Sequence, residues 1–539
     1  MEEKTRLFNT FESVEEAESY FGIKHNVIVE KKEDKEDFET VSNPDKFEVN
    51  YADLKTSPKC IFKHIILFTN NDNPKQNKTL KQAINAIKDL NKEDRPELHT
   101  FIAESMVFEQ DDNNILSISD GENSLNFDEI NNTDTLVFSR LGVQGEENCE
   151  HIVELLQDHG YLVLNPVRYS ELASNKYDTA KLLQKAEIPQ PNFCLMNKEI
   201  LYDEKLYNQS MENVYKEWDS KDSDKNEELK FVVKILDGHG GTGVFMIDGK
   251  KIYAILQTIF AISPDIELII QRKEEADGGD IRVHVLTLRN KQVILGAMKR
   301  VKIGGDFRSN VSLGASAEKV KLTPEQEQIA LKTAKISHLP WCAVDIMPLV
   351  KGSNKELGDN VVLEINASPG TEGISEVLGV NFVNILLNEL DEPKEFCLQE
   401  KCAGFEETVG VDFGNGSVNV LAKLDTGNGA HASHIEVGKY EASDKKVKFE
   451  FNDHSYEFDI IGKSNAVTGE QKHSRPVIEI PQITLGKRVV KNIPMAIVEK
   501  REKSTNMLLN RECLAWLGYM VSPDKTHILT DEMEKLKII

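Results

Sequence analysis

Two apolar runs separated by a polar loop constrain this chain more than any other stretch: Trp341–Met347 and Val361–Ile365. Each has the length of a buried strand, and the loop between them is polar, with two each of Gly, Asn and Lys. The spacing predicts two strands joined as a hairpin. Side chains alternate across a strand, so Glu364 and Asn366 share a face, and hairpin pairing brings Asp345 onto that face. Two carboxylates and an amide oxygen from neighbouring strands make an oxygen-rich site suited to a hard divalent cation such as Mg²⁺. A solvated sheet face would present the same three residues, so the surrounding sequence has to decide between the two.

The chain has 539 residues, a length that favours roughly three domains. Its formal charge of −25 argues against nonspecific partnership with nucleic acid or an anionic membrane. No apolar run is long enough to span a bilayer, and Met1-Glu-Glu-Lys4 lacks the apolar core of a signal peptide. The seven cysteines are odd in number and show no CxxC spacing. A disulfide framework or structural zinc site is therefore not expected, and a reducing cytoplasm fits best.

Residues 1–57 are polar and acidic, with the run Glu30-Lys-Lys-Glu-Asp-Lys-Glu-Asp37, and are expected to be an extension or small accessory module. Over 58–165 the pattern changes. Strands are predicted at His64–Phe68, Thr135–Ser139 and Tyr161–Leu164, and helices at Thr79–Leu90 and Cys149–His159. That alternation predicts a small parallel α/β domain. Asn175-Lys-Tyr-Asp178 then opens a helix to Ala186, followed by the proline-punctuated Ile188–Pro191, so Lys176 stands at a helix start.

A strand at Phe231–Leu236 leads into Asp237-Gly-His-Gly-Gly-Thr-Gly243. The glycines at 238, 240 and 243 match the letters of a dinucleotide-binding loop, but that fingerprint needs a helix next, and Val244–Ile247 reads as a strand. No Gly-Lys-Ser/Thr follows either, which excludes a Walker A loop. A strand, glycine loop and strand form a flap whose backbone N–H groups, at Gly240, Gly241 and Gly243, can close over phosphates, with Lys234 reaching the same groups. A purely structural hairpin is the alternative. Further strands are predicted at Glu267–Gln271 and Ile294–Lys299, flanking Asp280-Ile-Arg282. Thr323 and Pro324 then cap and open a helix to about Ser337.

The segment from about 165 to 390 resembles the ATP-grasp ligases of the RimK type, which join an amino acid to the C-terminal carboxylate of a protein or peptide. The matching words are Gly305-Asp-Phe-Arg-Ser-Asn310, Ala343-Val-Asp-Ile346 and Leu363-Glu-Ile-Asn-Ala-Ser-Pro-Gly370 followed by Glu372-Gly-Ile374, with Asp280-Ile-Arg282 and Lys299-Arg300 in their expected places. The resemblance implies a multidomain α/β and α+β fold: a pre-ATP-grasp domain at 58–165 and an ATP-grasp domain at 166–392. It also implies roles. Lys176, Lys234 and the flap glycines would contact ATP phosphates, and Asp280 and Arg300 would lie at the nucleotide and substrate cleft. Asp345, Glu364 and Asn366 would hold Mg²⁺ or Mn²⁺, as two ions. Arg308 and Asn310 would face an acyl phosphate. One departure stands out: Gln271-Arg-Lys-Glu274 is one residue shorter than the family's usual hinge, which leaves open the side chain that touches adenine.

Residues 393–402 read as a linker. The segment 403–539 reads as a small all-β domain with strands at Val418–Leu424, Val447–Phe451, Tyr456–Ile461, Pro476–Ile480, Arg488–Ile493 and Met495–Val498. Asp425-Thr-Gly427 ends the first strand, and an apolar strand later runs into Asn510-Arg511. This resembles a single retropepsin-like lobe, as in the domain found with RimK-type ligases and labelled an ATP-dependent zinc protease. One lobe supplies one aspartate, so hydrolysis would need a homodimer. The family usually continues Asp-Thr-Gly-Ala, whereas this chain has Asp425-Thr-Gly-Asn-Gly-Ala430. His431 and His434 are either metal ligands or polar loop residues. The resulting expectation is an ATP- and Mg²⁺-dependent carboxylate–amine ligase acting on an amino acid and a protein or peptide acceptor. It would be cytoplasmic and form a dimer or tetramer, with a C-terminal domain that trims or recognises the product. The alternatives are an aspartic-type peptidase regulated by its ATP-binding domain and a non-catalytic ATP-binding scaffold.

Overall fold

The computed structural model describes residues 59–69, 78–110, 115–140, 147–215, 229–236, 238, 243–289, 291–301, 316–351, 357–391, 401–452, 454–468, 471–499 and 505–529. Counts of strands and helices refer to these residues. The segment 1–57 lies outside them. The chain divides into two compact units, one within 41–399 and one that contains 400–539.

The first unit begins with a four-stranded parallel sheet of order β2-β1-β6-β7, with β1 His64–Thr69, β2 Glu97–Ile102, β6 Thr135–Arg140 and β7 Leu162–Leu164. The meander β3 (Val107–Gln110), β4 (Ile115–Ser119) and β5 (Ser124–Asn126) lies between β2 and β6 in sequence. Helix α1 (Lys78–Asp89) buries Leu80, Ala83 and Ala86, a stripe that covers the Ile65 and Leu67 face of β1. Helix α2 (Glu147–Asp158) covers the other face through Cys149, Ile152, Val153 and Leu156, at helical spacing. The predicted strands and helices all appear. Strand β2 and the meander were not anticipated, because Glu97-Leu-His-Thr-Phe-Ile102 is a half-polar edge strand without a continuous apolar run.

Helices α3 (Val167–Ser174) and α4 (Lys176–Lys185) lead into the second part of this unit. Its first sheet has the order β10-β9-β11-β8, from β8 Phe193–Met196, β9 Lys230–Ile235, β10 Val244–Asp248 and β11 Leu268–Arg272. It shares a core with α5 (Lys198–Tyr202), α6 (Glu204–Tyr215) and α7 (Ile252–Ile262). Strands β9 and β10 pair antiparallel, Val244 against Lys234, as a strand–loop–strand reading requires.

The second sheet is antiparallel, in the order β14-β13-β12-β15-β16. It comprises β12 Asp280–Thr287, β13 Gln292–Val301, β14 Ser316–Lys319, β15 Trp341–Pro348 and β16 Asn360–Asn366. On one face Ile281, Val283, Val285, Cys342, Val344 and Ile346 pack against α8 (Pro324–Ser337). That helix opens with a full capping box: Thr323 Oγ1 accepts from Gln326 N, and Gln326 reaches back to Thr323 N. The other face is split along its length. Leu286, Met298 and Trp341 sit under Phe382 of α10 (Phe382–Glu389), while the same rows continue into Asp280, Arg282, Arg300, Asp345 and Glu364. The period-two alternation therefore puts one apolar half and one ionic half on a single sheet face. Helix α9 (Glu372–Leu378) closes this region together with α10.

The second unit is all-β. Strands β18 (Glu406–Asp412), β19 (Ser417–Asp425), β20 (Ser433–Val437), β25 (Gln471–Leu485), β26 (Arg488–Glu499) and β27 (Met507–Asn510) close into a six-stranded barrel, since β18 pairs with both β19 and β25. Strand β24 (Gly462–Thr468) extends β25 at its edge. Strands β21 (Tyr440–Ala442), β22 (Lys446–Phe451) and β23 (His454–Asp459) form a separate three-stranded sheet. Strand β17 (Lys401–Gly404) pairs with β28 (Tyr519–Ser522), after the short helix α11 (Arg511–Trp516). The sequence predicted a break between Ile493 and Met495, but β26 runs through Pro494. The pairing is interrupted instead at Asn492, whose φ is 56°, and resumes in the same register, Ile480 opposite Ile493 and Gln482 opposite Lys491.

Candidate active site

The predicted hairpin is present. Strands β15 and β16 pair antiparallel with Asp345 opposite Glu364 and Ala343 opposite Asn366, so Asp345, Glu364 and Asn366 lie on one face. On the other side of β15, β12 places Arg282 opposite Asp345. Beyond β12, β13 places Arg300 opposite Asp280.

These side chains form one charged network. Arg282 grips Asp345 through two bonds, Nε to Oδ1 and Nη2 to Oδ2, each 2.7 Å. Arg300 donates from Nη2 to Asp345 Oδ2 at 2.7 Å and from Nε to Asp280 Oδ1 at 2.5 Å. Arg282 Nη2 also lies 3.6 Å from Glu364 Oε1. The side chain of Asp345 is 1% exposed and that of Glu364 is 39% exposed. The inner carboxylate is thus fixed by guanidiniums, while the outer one is open to a ligand.

Three carboxylates face two guanidiniums here, and burial together with these charges sets the pKa directions. Burial works to raise Asp345, but Arg282 and Arg300 outweigh it and hold this carboxyl well below the usual range. The protein packed around its carboxyl, reinforced by neighbouring Asp345, pushes Glu364 up although its side chain keeps an open side. Burial also raises Asp280, against the pull of Arg300. Asp345 and Glu364 stand opposite each other on paired strands, so their carboxylates repel. A divalent ion relieves the same repulsion, and two carboxylates with the Asn366 amide suit a hard cation. The donor set fits Mg²⁺.

Two lysines approach this centre. Lys176 opens α4, whose N-cap Asn175 accepts from Tyr177 N and Asp178 N. Its Nζ donates to Leu236 O at 3.2 Å and to Gly238 O. Lys234 lies on β9. Burial pulls its ammonium pKa down, against Glu364, which favours the charged form. Gly243 has a φ of 69°, and a Cβ there would come within 2.5 Å of the Ile235 side chain, so the flap's second strand needs glycine at its start. Gly240, Gly241, Arg308 and Asn310 lie outside the described residues.

Two residues that hold the site together carried little signal. Arg282 appeared in the sequence only as a letter of Asp280-Ile-Arg282. Its role follows from strand alternation, because it sits two residues from Asp280 on the strand that borders Asp345. Asn165 gave no signal. Its amide donates to Trp341 O at 2.6 Å and to Ala367 O, and accepts from Trp341 N at 3.0 Å. It thereby fixes both β15 and the residue after Asn366, across more than 170 positions of sequence. Asp280, expected at the cleft, is buried against Arg300.

In the second unit, Asp425 ends β19, which runs parallel to β27 with Asp425 opposite Asn510. Asp425 Oδ1 accepts from Gly427 N at 3.1 Å. Buried Asn510 organises the turn: Oδ1 accepts from Ser433 Oγ and Cys513 N, each at 3.0 Å, and Nδ2 donates to Ala430 O. Exposed His431 lies 3.8 Å from Glu512, whereas His434 belongs to β20. The two histidines that were candidate ligands therefore sit on different elements.

Residues 173–390 match the family described as RimK-like ATP-grasp domain, so an ATP-grasp domain of the RimK type lies within this chain. Among curated proteins, the chain is 36% identical over 162 residues to a probable alpha-L-glutamate ligase of Thioalkalivibrio sulfidiphilus, covering 30% of this chain and 50% of the relative. The chain spans about half the length of the curated relatives it matches. Solved structures similar to it include the RimK domain protein ATP-grasp from Sphaerobacter thermophilus (14% identity, TM-score 0.41, 60% of this chain and 98% of that one). Another is the ATP-grasp ligase PsnB complexed with a phosphomimetic variant of its minimal precursor, Mg and ADP (16% identity, TM-score 0.42, 62% and 98%).

Proposed function

We propose that the ATP-grasp domain is an ADP-forming carboxylate–amine ligase, and that it adds an amino acid of the glutamate type to the C-terminal carboxylate of a protein or peptide. The observation that carries this reading is the joining of Asp280, Asp345 and Glu364 to Arg282 and Arg300 on one sheet face, with Lys176 and Lys234 set toward it. The name of the curated relative supports the glutamate assignment.

A free carboxylate does not acylate an amine, because oxide is a poor leaving group. Its phosphorylation at the expense of ATP gives an acyl phosphate and ADP. Attack of the amine on that carbonyl then forms the amide, expels phosphate and releases the amine's proton to solvent. Asp345, Glu364 and Asn366 would hold Mg²⁺, which would supply positive charge to offset that on the phosphoryl oxygens. Lys176, bonded to Gly238 O, and Lys234 supply positive charge for the phosphates. Arg282 and Arg300 keep Asp345 ionised and immobile. Arg308, with Asn310, is assigned to the oxyanion and the departing phosphate, a role suited to a fixed fork of donors.

The six-stranded barrel is assigned to recognition or trimming of the product, as a retropepsin-like lobe. The end-of-strand position of Asp425 beside Asn510 favours this reading. A second copy of the chain would bring a second aspartate, which makes a homodimer part of it. The test is phosphate release from ATP and Mg²⁺ with single amino acids and acceptor peptides, read with intact-mass detection. Amino-acid-dependent turnover, a product heavier by whole residues, and loss of both in Glu364→Gln are expected. ATP binding without amino-acid-dependent turnover across amino acids and acceptors would favour the scaffold.

A further inference from the structure

A second set of ligand-type side chains lies in the parallel sheet, apart from the ionic face of β12–β16. Strands β1 and β2 pair with His64 opposite Glu97 and Ile66 opposite His99. Alternation puts His64, Glu97 and His99 on one face of the sheet, at the rim where both strands begin. His64 Nδ1 lies 3.2 Å from His99 Nε2, and the ring centroids are 5.5 Å apart. Glu97 Oε2 lies 3.7 Å from His64 Nδ1 and 4.0 Å from His99 Nε2. Among the described residues this is the one grouping of three His, Cys, Asp or Glu donors close enough to share an ion.

We propose that His64, Glu97 and His99 bind a divalent ion of the zinc class, at a site separate from the Mg²⁺ centre. Two imidazole nitrogens bound tetrahedrally at about 2.0–2.1 Å lie about 3.3 Å apart, close to the separation seen here. The two rings are 19% and 13% exposed and held by the sheet, whereas Glu97 is 68% exposed and free to swing onto the ion. That leaves a fourth position for water. Two imidazoles and one carboxylate favour Zn²⁺ over Mg²⁺, which prefers oxygen alone. A hydrogen bond between the rings accounts for the 3.2 Å separation but not for a carboxylate that faces both nitrogens. Strand β2 is the edge of its sheet, so the ion would pin that edge to β1.

The test uses the metal-stripped full chain in excess Mg²⁺, titrated calorimetrically with Zn²⁺ and followed by Tm. The wild type should take up one more zinc equivalent than His99→Gln or His64→Gln, with a rise in Tm that both variants lack. Glu97→Gln should keep that equivalent and weaken its affinity, by about tenfold or more. Glu364→Gln should leave the site intact, so the result does not depend on ligase activity. Equal Tm values in chelator establish that the variants are folded. Unchanged zinc equivalents and affinity in both histidine variants would overturn the site and leave a histidine–histidine hydrogen bond only. Unchanged affinity in Glu97→Gln would overturn the three-ligand set.

Discussion

Asp345 and Asp425 are both carboxylates on core strands that carry a chemical expectation, and their surroundings differ sharply. Asp345 receives three guanidinium hydrogen bonds and is 1% exposed. Asp425 ends its strand in an exposed turn and accepts from the backbone of Gly427. The first is machinery finished within one chain: its charge is fixed, its neighbours are fixed, and the open Glu364 is left for a ligand. The second is a carboxylate held in place by its turn, and the hydrolytic part proposed for it would need a second copy of the chain. Substitutions at the two centres should therefore fail in different ways.

The largest effect is expected at Arg300. Arg300→Met leaves Asp280 and Asp345 buried without their shared cation, and breaking a buried pair in this way costs about 3–5 kcal/mol. A large fall in the Tm of unit 41–399 should accompany loss of amino-acid-dependent phosphate release. Arg300→Lys restores charge without the fork that reaches both acids, so it should recover more stability than turnover. Equal recovery of both would show that charge alone, and not geometry, is what Asp345 needs.

Next in size is Asn165→Ala. It removes three hydrogen bonds to the Trp341 and Ala367 backbone, at a cost of about 1–3 kcal/mol. Because Ala367 follows Asn366, the concentration of Mg²⁺ needed for half-maximal turnover should also rise. A fall in Tm with an unchanged Mg²⁺ requirement would make Asn165 a purely structural tie and detach it from the comparison.

How much of this was readable in advance depends on the range of the signal. Asp345, Glu364 and Asn366 were legible because strand alternation is local and two apolar runs define one hairpin. Thr323-Pro324 was legible because capping chemistry is written in adjacent residues. Asn165 was not, since its partners at 341 and 367 are distant in sequence and an isolated Asn has no period. Arg282 stood between these cases: its motif was visible, but its grip on Asp345 depends on which strands become neighbours. Pro494 misled in the opposite direction, since proline reads as a break, and here the strand continues past it.

The barrel supplies the smaller effects. Asn510→Ala removes the cap of α11 and the ties to Ser433 and Ala430, for about 0.5–2 kcal/mol. The loss should appear in the Tm of the second unit while ATP turnover holds. A matching loss of turnover would mean the two units work as one, and would erase the distinction drawn between Asp345 and Asp425.

Asp425→Asn should do least. Asn keeps an oxygen to accept from Gly427 N, the site is not buried, and surface changes of this kind usually stay within about 0.5 kcal/mol. Tm and amino-acid-dependent phosphate release should both be unchanged. The informative readout is the length distribution of the modified product, followed by intact mass over time. If the barrel trims, wild type should shorten an extended product and Asp425→Asn should not, with shortening that depends on protein concentration because a second copy supplies the second aspartate. If product lengths stay identical in the two proteins at every concentration, the aspartate has no hydrolytic part and the barrel is left with recognition. Asp425 would then be a turn residue, and the contrast with Asp345 would be one between a working carboxylate and a structural one.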